Sequence, residues 1–473
     1  MALLAIGVVA DATRASAQSV PSDSQAIAVM KKAAEYYRGK VARHGGYVYY
    51  YSPDLGRRLG EGVAEADQIW VQEPGTPTVG IAYLRAFQAT GDRFYLDAAV
   101  ETAEALIHGQ LQSGGWTNAI DFNPAGTRSA LYRNGKGNRK GRNFSSLDDG
   151  ITQSSLQFLM QLDQEVRFQN KQVSEAVSVG LSALLAAQFP NGAFPQGWDE
   201  ELKKVDKDPA KVAGYPPYDW RTEGRIKEYW DMYTINDGVA LNVSETLMMA
   251  HRIYKDEKYA DALKRLGKFL IKAQMPAPQS GWAQQYNYDM QPIWARQFEP
   301  AAISGRESEE TVVALMKIAF HLKDKRMLGP VPAAIDYLQR SQLPDGKLAR
   351  YYELKTNKPL YMERNGKEYT LTHDDSKLPS HYGWKNDSRV ASLKEAWKSI
   401  QEGRGLPDPV IPSSEAKPSV EQIISSLDDQ GRWVSTYAGE GLVGQPKFRE
   451  GEEYINSAVF SRNLTILSES LNR

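Results

Sequence analysis

The chain has 473 residues, 41% of them hydrophobic and 24% charged, with a formal net charge of -1. That is a globular composition with ample length for a core, and it excludes a net basic surface for nucleic acid or membrane. Cysteine is absent, which excludes disulfides and thiolate catalysis.

Read in order, the chain opens on MALLAIGVVADATRASAQ. Leu3 to Ala10 is a short apolar run and Ala15-Ser16-Ala17 a small-residue cleavage pattern. Residues 1–17 therefore read as a secretory signal peptide without its basic n-region, and the expected location is secreted or periplasmic. No later apolar run approaches the length of a membrane span. From Ser24 an amphipathic helix is predicted, AIAVMKKAAEYYRGKVAR, followed by the aromatic run Tyr47 to Tyr51. Two helices follow, GIAYLRAFQATG and FYLDAAVETAEALIHGQLQ, ending at Gly114-Gly115-Trp116. A polar loop then runs to about Leu147. It carries six Arg or Lys between Arg128 and Arg142, read as a solvated basic strip that could also meet a polyanion.

The same grammar returns three times. TQSSLQFLMQLDQEV and SEAVSVGLSALLAAQ lead into FPNGAFPQGW; GVALNVSETLMMAHRIY and YADALKRLGKFLIKAQ into QSGWAQQYNYD; SEETVVALMKIAFHL and VPAAIDYLQRSQ into LPDGKLARYYEL. Each unit is a helix, a short turn, a helix closed by Gln, and a Gly-rich loop, with a period of roughly 70–85 residues. A helix pair cannot bury its apolar stripe alone, so the pairs must stack. Helices are also expected from Arg389 to Gly403, from Ser419 to Leu427 and at the C-terminal end. The first and last helices lack partners, and pairing them closes a ring. The predicted architecture is all-α: one α/α toroid over residues 18–473, with the loops after each second helix gathered around one cleft. A monomer is expected. Many of the 25 Tyr and 10 Trp stand beside glycine in these loops, which suits stacking on sugar rings.

Three stretches carry candidate chemistry. Asp148-Asp149-Gly150 precedes a helix, and Asn236-Asp237-Gly238 holds the matching place one repeat later. Their oxygens suit a hard cation such as calcium, or equally the N-terminus of a helix. The third is Trp294 to Ser308, WARQFEPAAISGRES, where Arg296 stands three residues before Glu299 and Pro300 stops any helix. Glu299 is taken as the third repeat's equivalent of the two aspartates. Arg350 and Arg364, in the following loop, would join Arg296 in a cationic set facing the cleft unless Glu353 or Glu363 neutralises them. An acidic cluster able to hold calcium, beside several arginines, is a design for an anionic sugar polymer. The six histidines have no metal-ligand spacing, so zinc is not expected.

Taken in order, DDGIT, FPNGAFPQGW, NDGVALNV, ARQFEPAAISGRES and LARYYEL…MERNGKEY resemble the family 10 pectate lyases, from about Gln110 to Tyr382. The resemblance implies a toroid that cleaves polygalacturonate by calcium-dependent β-elimination, with Arg296 as Brønsted base. It also implies that Asp149 and Asp237, with Glu299, hold calcium. Asp148, Arg350 and Arg364 would meet substrate carboxylates. The chain departs from the family pattern at Asp149, where the family has Asn, and at NDGVA. The insertion from Trp198 to Trp230 and the stretch after Lys385 have no counterpart. Two other functions fit the same residues: an inverting glycoside hydrolase using Asp148 and Asp237, and a polyuronate-binding protein without turnover.

Overall fold

The computed structural model describes residues 22–199, 210–380, 382–410, 417–442 and 448–471. The leader expected over residues 1–17 lies outside them. The helices are α1 (Asp23–Tyr36), α2 (Thr76–Thr90), α3 (Arg93–His108), α4 (Ile151–Glu165), α5 (Lys171–Ala186), α6 (Val239–Tyr254), α7 (Glu257–Ala273), α8 (Gly305–Leu322), α9 (Val331–Arg340), α10 (Val390–Gln401), α11 (Val420–Ser425) and α12 (Ser457–Leu471). None of the described helices is long and apolar enough to cross a membrane.

The helices form an α/α toroid. An inner ring runs α12, α2, α4, α6, α8, each packed on the next, and α3, α5, α7 and α9 pack outside their inner partners. The last helix does lie against the first, Tyr37 stacking on Phe460 at 3.8 Å, but it packs most extensively on α2. Its apolar residues Phe460, Leu464 and Leu467 are buried at a spacing of three and four, the stripe that drives such packing.

Inner and outer helices are joined by short turns at one end, so all the long loops leave from the other. Those loops are stitched to one another by antiparallel ribbons that the sequence did not reveal. Gln68–Trp70 pairs with Ala119–Asp121, Ser145–Ser146 with Gly197–Trp198, Tyr233–Thr234 with Gln285–Tyr286, and Ala302–Ser304 with Tyr351–Glu353. Tyr50–Tyr51 pairs with Glu453–Asn456 and closes the circle. Most of these strands are two or three residues long, and two residues show no periodicity.

The Gln that ends each outer helix explains the repeat. Gln110 Nε2 donates to Gly114 O in its own loop and to Ala176 O in the next outer helix, both at 2.9 Å. Gln188 does the same to Gly192 O and Ala262 O, and Gln274 to Ser280 O and Pro330 O. Each amide satisfies two carbonyls that would otherwise be left without partners, at about 1 kcal/mol per bond. Most aromatics beside glycine serve the core rather than a ligand: Trp116 and Trp282 are fully buried and their indole N–H groups donate to Leu106 O and Leu270 O.

Candidate active site

The outer helices α3, α5 and α7 begin with side-chain caps, Asp92, Asn170 and Asp256, in extended conformation. The inner helices α4 and α6 begin differently. Asp149 and Gly150 have φ of 47° and 70°, and Asp237 and Gly238 have φ of 49° and 73°. Neither helix has a side-chain cap bond. Two successive left-handed residues turn the aspartates away from their own helices and into the space between loops. Glycine allows the second at no cost, and Asp is among the few side chains that tolerate the first. The helix-capping alternative for these aspartates therefore does not hold.

The two turns bring Asp148, Asp149 and Asp237 together, with one oxygen of each within 4.8 Å of the others. Glu299 is not at the equivalent position of the third repeat. There α8 follows the strand Ala302–Ser304 directly, with Ser304 extended. Glu299 arrives instead through the Arg296 turn, its N–H donating to Arg296 O at 3.0 Å while Ala295 N–H donates to Glu299 O at 3.1 Å. The Trp294 indole N–H clamps the same turn through Arg296 O at 3.0 Å.

Arg296 stands at the centre. Nη2 donates to Asp148 Oδ2 at 2.6 Å, Nη1 reaches Glu299 Oε1 at 3.2 Å and Asp237 Oδ2 at 3.3 Å, and Nε donates to Tyr229 OH at 3.2 Å. Arg350 lies behind it, 3% exposed, between Asp237 at 3.6 Å and Glu307 at 3.0 Å. Glu307 is fully buried and also bonded by Ser304 Oγ and by Gln284 Nε2 at 3.1 Å. Charges thus alternate: Glu307, Arg350, Asp237, Arg296, Asp148. Arg364 does not join them. It is exposed on the Pro359–Asn365/Glu368–Thr372 hairpin, its Nε bonded to Gly366 O at 2.9 Å. The expected trio of arginines facing one cleft is therefore one arginine at the cavity, one buried behind it and one on a hairpin.

Acids outnumber bases here, and their titration shows it. Burial pushes the Asp149 carboxyl up to about 6, with Asp237 and Glu61 adding repulsion against the pull of Arg296. Glu299 is pushed up to about 7, again by burial, although Arg296 pulls it down. Asp237 is raised well above the ordinary range by burial and by Asp148. Burial alone would lower Arg296, but Glu299, Asp148 and Asp237 outweigh it and hold the guanidinium firmly protonated. Burial likewise opposes the charge on Glu307, but Arg350 and Arg306 overcome it and keep its pKa below the usual range.

The residues fit a hard divalent cation. Asp148 Oδ1 and Asn236 Oδ1 are buried oxygens without a hydrogen-bond partner, beside carboxylates whose crowding raises their pKa values. Carboxylate and amide oxygens are the ligand types calcium takes. Gln72, from the first repeat, steadies Asp149 through a 3.1 Å bond from Nε2. A cavity of about 340 Å³ opens over Asp148, Asp149 and Arg296 and extends to Arg142, Lys227 and Trp230.

Gln72, Tyr229 and Glu307 are site residues that the sequence reading does not single out. Glu307 stands in the quoted GRES, where a Glu three residues after Ser304 in a helix start was the available signal. Gln72 and Tyr229 reach the site only through the fold.

A family model described as pectic acid lyase matches residues 110–348, just over half of the chain. No curated protein matches. Among solved structures, a variant of the family 10 polysaccharide lyase from Cellvibrio cellulosa, in complex with trigalacturonic acid, is 19% identical over 68% of this chain and 97% of that one, with a TM-score of 0.47. Cellobiose 2-epimerase from Spirochaeta thermophila is 14% identical over 96% of this chain and 99% of its own, with a TM-score of 0.48. By the match over residues 110–348, the chain belongs to the pectic acid lyase family, a family of polysaccharide lyases.

Proposed function

We propose that the protein is a pectate lyase that cleaves polygalacturonate by calcium-dependent β-elimination, with Arg296 as Brønsted base. The observation that carries this is a guanidinium at a cavity wall, held by the same carboxylates that are grouped to bind a cation. In the elimination the C5–H bond of a uronate breaks, its electron pair forms the C4–C5 double bond, and the C4–O bond to the leaving sugar breaks. The C5 proton goes to the base, the leaving oxygen takes a proton from solvent water, and the base returns its proton to solvent.

Asp148, Asp149 and Asp237 would hold calcium, with Glu299 behind them; bound there, it supplies positive charge that acidifies C5–H and offsets the carboxylates. Arg296 is a poor base while three carboxylates keep it protonated. Its activation therefore depends on those carboxylates being engaged elsewhere. Glu299 fixes the turn that aims the guanidinium, and Arg350 holds Asp237 in register from behind.

An inverting hydrolase would need its two carboxyls about 6.5–9.5 Å apart. Asp148 and Asp237 have oxygens within 4.8 Å of each other, closer than that spacing. A rise in ultraviolet absorbance on polygalacturonate, abolished by chelator and by Arg296→Ala, supports the lyase. Reducing ends without absorbance would overturn it.

A further inference from the structure

The cavity has a second wall that takes no part in the carboxylate–arginine network. Arg142 and Lys227 stand on it, with Phe144 and Trp230. The two rings meet edge to face at 5.5 Å, and the Arg142 guanidinium lies 4.4 Å over Phe144. Arg142 and Lys227 are exposed. Neither makes an ion pair among the described residues, whereas Arg221, Arg296, Arg306 and Arg350 all do.

The segment that carries Lys227 is fastened on both sides. Ile226 N–H donates to Trp294 O at 2.9 Å, two residues before Arg296, and Gln196 N–H donates to Trp230 O at 3.0 Å. Tyr229, between them, touches Arg296 itself. The end of the insertion is therefore a fixed wall of the cavity, registered on the same turn as Arg296. Two cations without carboxylate partners among the described residues, lining the same cavity as Asp148 and Asp149, are arranged for an anion that spans both regions.

We propose that Arg142 and Lys227 form a second subsite, which takes the carboxylate of the hexuronate residue adjoining the one at Arg296, with Phe144 and Trp230 offering apolar faces to its ring. This rests on the polyuronate reading above and adds to it a cause for selectivity: an unesterified acid at the neighbouring residue, recognised by residues of the insertion and of the basic loop. A guanidinium binds a carboxylate through paired N–H groups and an ammonium as a point charge, so both lose most of their hold on a neutral methyl ester. Pyranose C–H faces pack on the aromatic rings whether or not the acid is esterified.

The test is calorimetric binding of polygalacturonate and of highly methyl-esterified pectin to Arg296→Ala protein, with and without Arg142→Gln and Lys227→Met. The expected result is about tenfold weaker binding of the acid polymer for each substitution, with a shallower salt dependence. Binding of the ester should change less than twofold, and Lys227→Arg should restore the acid polymer. In the active enzyme Lys227→Met should raise KM with kcat nearly unchanged. Acid polymer that binds equally well to the substituted proteins overturns the subsite alone. Equal losses for acid and ester overturn the charge selectivity. If the unsubstituted protein and its Arg296→Ala form bind neither polymer, the polyuronate reading falls with it.

Discussion

The ring contains two kinds of helix start, built from the same residue types and put to opposite uses. At the outer helices Asp92, Asn170 and Asp256 are extended, and their side chains accept from Phe94, Gln172 and Lys258 N–H. At the inner helices Asp149 and Asp237 are left-handed, and their carboxylates face each other across the repeat boundary. Their titration separates accordingly. Asp92 lies below the ordinary range, through its bonds from Lys31 and Phe94 N–H, and so does Asp256, through Lys258. Asp149 and Asp237 lie above it, both chiefly through burial, with added repulsion from Asp237 on Asp149 and from Asp148 on Asp237. An aspartate that has spent its oxygens on its own helix is structural, and one turned away by two left-handed residues is available for a ligand.

The sharpest break of this contrast is Asp237→Ala, or Arg296→Ala, against Asn170→Ala. The first two should lower kcat/KM on polygalacturonate by about 1000-fold or more, the scale of losing a positioned charge or base. Asn170→Ala should leave kcat/KM unchanged and cost about 1 kcal/mol of stability, measured by denaturant titration. Next comes Glu307→Gln, which removes the nearer of the two carboxylates paired with the buried Arg350 and leaves only Asp237 at 3.6 Å. Breaking such a pair costs about 3–5 kcal/mol, and the melting temperature should fall while the helical content below it stays the same.

Calcium should act only through the inner starts. At a hundredfold excess over its Kd it should stabilise the protein by about 2.7 kcal/mol, and the shift in Tm should disappear in Asp149→Ala and persist in Asp256→Ala. The smallest effect is one of pH. Asp149 and Glu299 have folded pKa values raised to about 6 and about 7, so they contribute stability that is full below the ordinary carboxylate range. That contribution is lost as the pH rises through 6 and 7, because the unfolded chain has already released these protons. Asp92 and Asp256 are lowered, and their contribution is present at neutral pH and lost as the pH falls below the ordinary range. Without calcium, the slope of Tm against pH between 5 and 7 should flatten in Asp149→Asn and be unaltered in Asp256→Asn.

Much of this was legible before the fold. Helix pairs announce themselves by apolar spacing, and the repeated Gln and Asp-Gly mark the loops because identical bonds recur in each unit. The spacing of Arg296 and Glu299 encoded a real turn. What stayed hidden depends on distance in the chain. Tyr229 meets Arg296 from 67 residues away, and Gln72 meets Asp149 from 77. Glu299 was assigned to a repeat position by counting, but it enters through a turn that the other repeats lack. Arg364 was read from a motif, and no local signal separates a cleft from an exposed hairpin. The tryptophans beside glycine suit sugar stacking or plain packing alike, because nothing in a Gly-Trp pair says which side of the loop faces the core.

The place of α12 has a consequence for how the chain is made. Ser457–Leu471 is synthesised after α1 to α11, yet it is a stave of the inner wall, seated against α2 and bearing Phe460 on Tyr37 and Tyr83. Until the ribosome has passed this segment, the apolar flank of α2 has no cover and the ribbon of Tyr50–Tyr51 has no Glu453–Asn456 to pair with. The earlier helix pairs can assemble in order as they emerge, but the hoop is locked by α12, and a chain interrupted before it leaves the hoop open at the first repeat.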